Sequence, residues 1–121
     1  MASIIIKGKE YKLRFDMFAM EQIEEEFGGI RPMFESMRGG EGKGIAKTLQ
    51  IMFRILANSA RNEMGLPENV TGEEVRHENV QRVSDAIGAA INEGMKSETT
   101  NGNEADDGVH DIYLEEIERK N

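Results

Sequence analysis

The sequence predicts an α+β fold that is mainly α. It should hold an N-terminal β-hairpin, a small bundle of four to five helices, and a disordered acidic C-terminal tail. Three observations carry this. Apolar and charged residues alternate near the N-terminus, in "SIIIKGKEYKLRF". A stripe of apolar residues at helical spacing runs from Ile45 to Met64. From Met95 onward large apolar side chains give way to acids, serines, threonines and asparagines. These place a helical domain with its hairpin in 1–94 and a low-complexity tail in 95–121.

In the hairpin, Tyr11, Leu13 and Phe15 alternate with Lys12 and Arg14, the period-2 pattern of a half-buried strand. Ile4 and Ile6 match them on the first strand. Gly8 and Lys9 form the expected two-residue turn, which pairs Ile6 with Tyr11 and Ile4 with Leu13. An isolated hairpin is marginal in water, so either helices or a second copy of the chain, in a homo-oligomer, would cover its two edges.

Asp16 is a suitable N-cap for the first helix. Ala19, Met20, Ile23 and Phe27 follow at helical spacing, and Gly28-Gly29 stops the helix. Pro32 suits the first position of a short second helix carrying Met33, Phe34 and Met37. "RGGEGKG", residues 38–44, is a flexible break. The long helix then presents Ile45, Leu49, Met52, Phe53, Leu56, Ala57, Ala60 and Met64 on one face, and Gly65 and Pro67 close it. Thr71 and Glu74 form a capping box opening a short helix over about 72–77. The last helix carries Val80, Val83, Ile87, Ala90 and Ile91, and Gly94 is expected to end it.

A chain of 121 residues is expected to form one domain with a small core. Net charge is −8, which argues against non-specific nucleic-acid binding and against an anionic membrane surface. Residues 95–121 hold eight acids and three bases, and residues 1–94 fifteen and twelve, so most of the excess lies in the tail. No cysteine is present, which excludes disulfides, thiolate metal sites and thiol catalysis. No apolar run approaches the roughly 18 residues of a membrane span, and the N-terminal apolar stretch is too short for a secretory signal. A soluble, intracellular protein is expected.

Chemical motifs are absent. "GGEGKGIAKT" departs from the phosphate-binding loop, because Gly42-Lys43 is followed by Gly44 and the earlier glycine is Met37. Glu104, Asp106, Asp107, His110 and Asp111 lack calcium-loop spacing. His77 has no nucleophile near it in sequence. Glu21, Glu24, Glu25 and Glu26 fan out over several directions of a helix, as a solvated face does, whereas paired-carboxylate catalysis needs one acid in an apolar pocket. No catalytic residue, cofactor or metal is expected, and the chain is read as a non-enzyme.

Eight methionines are the more useful signal. Met17, Met20, Met33, Met37, Met52, Met64 and Met95 lie on or beside helices; Met fills cores and also recurs on adaptable binding surfaces. Met17 and Phe18, off the main stripe of their helix, and Met33, Phe34 and Met37, beside the glycine-rich break, are the candidate partner contacts. In the tail, Val109, Ile112, Tyr113 and Ile117 fall on one face of a short amphipathic segment, so Ile112, Tyr113 and Ile117 are candidate docking anchors.

The layout as a whole resembles the tail assembly chaperones of phages with long non-contractile tails and of related prophages. The resemblance covers about residues 4–95 and is carried by "GKEYKLRF", "MFAMEQIEEEFG" and "TGEEV". It implies a helical protein with a small β element that binds the tape-measure protein, and often the tail-tube protein, before the tube polymerises. It implies no catalytic residues, a place in the host cytoplasm and absence from the mature virion. The alternative within the same setting is a structural head–tail connector or another small morphogenesis protein.

Overall fold

The computed structural model describes residues 1–40 and 43–96. It is α+β and mainly α: strands β1 (Ser3–Ile6) and β2 (Lys9–Lys12) form a hairpin, followed by helices α1 (Met17–Phe27), α2 (Ile30–Met37), α3 (Ile45–Glu63) and α4 (Val80–Lys96), with a 3₁₀ turn at Glu73–Val75 between the last two. The expected tail, including Ile112, Tyr113 and Ile117, lies outside the described residues beyond Lys96.

The hairpin forms in a register two residues away from the expected one. Ile6 faces Lys9 and Ile4 faces Tyr11. The turn is Lys7-Gly8, both at positive φ (51° and 80°). This is the type I′ requirement, with glycine at the second central position. A two-residue shift keeps every side chain on its face, whereas a one-residue slip would invert them all. Ile4, Ile6, Leu13 and Phe15 are therefore still buried. Leu13 N–H donates to Ala2 C=O at 2.8 Å and lengthens the ladder by one rung.

Asp16 caps α1: its side chain accepts from Ala19 N–H at 3.0 Å. Gly28, in the left-handed region, ends the helix with its N–H on Glu24 C=O. Helix α2 starts at Ile30, two residues before the expected point, so Pro32 sits third. Its missing N–H costs nothing there, because the first helical bond comes from Met33 N–H to Gly29 C=O. Helices α2 and α3 both end in a Schellman arrangement. Gly40 and Gly39 donate to Glu35 and Ser36, and Leu66 and Gly65 donate to Arg61 and Asn62.

Helix α3 is the centre of the molecule and touches α1, α2, α4, β2 and the 3₁₀ turn. The expected stripe is buried from Leu49 to Ala60, but its ends are not: Ile45 and Met64 are exposed. Thr48, Ile55 and Ser59 are also buried, which widens the covered arc. Phe53 is fully buried and meets the edge of Tyr11 with ring centroids 5.3 Å apart. Asn58 holds the loop after α3 by accepting from Val70 N–H and donating to Val70 C=O, at 3.0 and 2.9 Å. The Thr71–Glu74 capping box forms: Glu74 accepts from the N–H groups of Thr71 and Gly72, and Thr71 Oγ1 accepts from Glu73 N–H. It opens the single 3₁₀ turn rather than a helix over 72–77. A Cβ on Gly72 would stand 2.7 Å from Gln50 C=O, so this turn lies directly on the α3 backbone.

Helix α4 does not stop at Gly94. It continues to Lys96, and Met95 is partly buried against the core. Gly94 serves close packing instead, because a Cβ there would stand 2.2 Å from Phe15 C=O.

Candidate functional site

A groove of about 700 Å3 lies where the end of the hairpin, the start of α1 and the end of α4 converge. Leu13, Phe15 and Ala90 are buried and form its floor, and half-buried Met20 supplies a wall. Met17 and Met1 stand at the lips, 75% and 56% exposed. Arg14, Asp16 and Glu93 complete the rim. Gly94 also lines the groove, and without a side chain there the α4 backbone packs closely onto Phe15.

The rim is pinned by Asp16. One of its oxygens accepts from Ala19 N–H at 3.0 Å and from Ser59 Oγ at 2.6 Å; the other accepts from Arg14 Nε at 2.8 Å. One carboxylate therefore caps α1, ties it to α3 and fixes Arg14. Burial pushes the Asp16 carboxyl up, but the Ser59 hydroxyl, the Ala19 N–H and Arg14 outweigh it and hold the acid below its ordinary value of 3.8. A carboxylate depressed in this way is a poor general base near neutral pH. On α4, Glu93 accepts from Ala2 N–H at 2.9 Å and holds the chain start against the helix end.

Of the expected partner contacts among the described residues, Met17 lines this groove and Phe18, Met33, Phe34 and Met37 do not. Phe18 is half-buried on α1, outside the groove lining. Met33 is fully buried and packs in the core. Phe34 and Met37 are half-buried and pack against that core from α2. Ile112, Tyr113 and Ile117 fall outside the described residues. Sequence reasoning missed Met1, Phe15 and Gly94 as groove residues and took Met20 for core alone. The available signal was Gly94 itself, a glycine between Ile91 and Met95 on the apolar face of a helix, which marks a close approach as readily as a stop.

The glutamates of α1 are mostly its wet face. Glu21, Glu24 and Glu25 are exposed. Glu26 is different: half-buried, it accepts from Arg54 at 2.9 Å and ties α1 to α3. His77 is exposed. Lys43 stands 5.9 Å from the Phe27 ring centroid. Among the described residues no cluster of His, Asp and Glu has the arrangement of a metal site, and no helix is long and apolar enough to cross a membrane. The arrangement offers an adaptable apolar trough with fixed polar edges. The chain matches no protein-family model, no curated protein and no solved structure.

Proposed function

We propose that this chain is a non-enzymatic tail assembly chaperone that binds apolar helical stretches of a phage tape-measure protein, and of the tail-tube protein, and keeps them soluble until the tail assembles. The observation that carries the reading is the groove with Met17 and Met1 at its lips. An unbranched thioether side chain adapts to differently shaped apolar partners at little cost, and a trough between secondary elements suits the apolar face of a helix. A tape-measure protein is a long helical chain whose apolar faces stay exposed until the tube encloses them, so its chaperone needs contacts that are adaptable and reversible.

The charge supports the same role. A net charge of −8 keeps a chaperone–client complex soluble through self-repulsion. On this reading the protein works in the host cytoplasm and leaves before the virion matures.

Co-expression with a long helical segment of a tape-measure protein tests the reading. The expected outcome is a soluble complex that co-purifies, with the segment insoluble when expressed alone. Absence of both the complex and the gain in solubility overturns it. Purified virions provide the second check. A chaperone is absent from them; recovery at ring stoichiometry would instead make the chain a head–tail connector.

A further inference from the structure

The groove lies at the C-terminal end of α4, the last element described. Glu93 and Gly94 line it, and α4 ends only two residues later, at Lys96. Twenty-five residues of sequence follow. The first twelve, "SETTNGNEADDG", contain no large apolar side chain. The last thirteen, "VHDIYLEEIERKN", contain Val109, Ile112, Tyr113 and Ile117 at spacings of three, one and four, the pattern of one face of a helix. We propose that residues 109–121 dock their apolar face in this groove as an intramolecular occupant, which any external ligand of the groove must displace.

Reach and concentration favour this occupant over a second copy. A twelve-residue connection of this polar, glycine-containing composition spans roughly 17–21 Å root-mean-square, enough to return over the last turn of α4 and too short to carry the segment far away. Tethering at that length gives an effective concentration on the order of millimolar, above that of a separate chain in solution unless the protein is very abundant. The groove also has a reason to be covered. Met17 and Met1 are among the most exposed large apolar side chains described, at 75% and 56%, and both line the groove. The proposal goes beyond the chaperone reading, because it needs the groove but not the identity of any client.

The test uses the full-length chain with ¹³C-labelled methionine methyl groups. Ile112→Ser, Tyr113→Ser and Ile117→Ser are combined in one variant, and its spectrum is compared with that of the unaltered chain. The expected result is a shift of the Met17 and Met20 resonances with Met33 and Met52 unmoved; the latter two are fully buried in the core and report an intact fold. Since the chain has no cysteine, a spin label on Glu118→Cys, away from the proposed anchors in helical spacing, supplies the direct measure. It should erase the Met17 and Met20 signals and spare Met33 and Met52, independently of protein concentration. Unmoved Met17 and Met20 signals, or uniform broadening by the label, would overturn the proposal. Broadening that appears only as concentration rises would also overturn it and assign the groove to a second copy. Client binding can succeed while these signals stay still, and the reverse can hold, so the two readings fail separately.

Discussion

Met33 and Met52 at the centre of the molecule and Met17 and Met1 at the groove are the same residue type put to opposite uses. The central pair is fully buried, whereas the groove pair is 75% and 56% exposed. The difference comes from how many elements meet at each place. Helix α3 is packed by three other helices, a strand and a 3₁₀ turn, so methionine there fills the last irregular spaces of a core. At the groove, the end of the hairpin, the start of α1 and the end of α4 converge but leave one side open. Methionine content alone therefore says little about binding; what matters is whether a covering element exists.

That contrast can be broken from the core side first. Phe53→Ala removes the fully buried ring beside Tyr11 and should cost about 3–5 kcal/mol, read by chemical denaturation. Gly94→Ala comes next. Its Cβ would meet Phe15 C=O at 2.2 Å, and backbone cannot move aside as a flexible side chain does, so the loss should reach roughly 1–3 kcal/mol. Because Gly94 and Phe15 both line the groove, this variant should also change partner binding, whereas Phe53→Ala should change it only in proportion to unfolding.

Asp16 joins the two regions, and pH separates its contributions. Asp16→Ala should cost about 1–2 kcal/mol through the lost cap alone. The native acid titrates below its ordinary 3.8, so its ionisation stabilises the fold at higher pH, and that stabilisation is lost as pH falls through the depressed native value. Asp16→Asn keeps an N-cap oxygen without the titrating charge. The stability of the unaltered protein should thus fall more steeply below about pH 4 than that of Asp16→Asn, as followed by thermal melts across pH. Equal slopes would show that the Ser59, Ala19 and Arg14 contacts do not hold the carboxylate in its charged form.

Much of the fold was legible because local chemistry agreed with it. Asp16 and Gly28 bound α1, Gly65 closes α3, and Thr71 with Glu74 forms its capping box. The departures arise where two local solutions compete or where packing decides. Gly8 serves either position of a two-residue turn, and only the packing of Ile4 and Tyr11 selects Lys7-Gly8 and its register. Gly94 reads as a stop because the backbone of Phe15, seventy-nine residues earlier, is invisible to local periodicity. Ser59 and Thr48 look polar, yet Ser59 is buried because Asp16 accepts its hydrogen bond. The groove was legible only at Met17, since its other residues come from three distant segments.

The smallest effect on stability should come with the largest effect on function. Met17 is 75% exposed, so Met17→Asp should leave the free energy of unfolding within about 0.5 kcal/mol of that of the unaltered chain. The decisive measurement is the affinity of this variant for a helical tape-measure segment, by calorimetry, beside that of the unaltered protein. A charge at the apolar lip of the groove should weaken binding at least about tenfold, or 1.4 kcal/mol. Unchanged affinity would contradict the assignment of this groove as the binding surface.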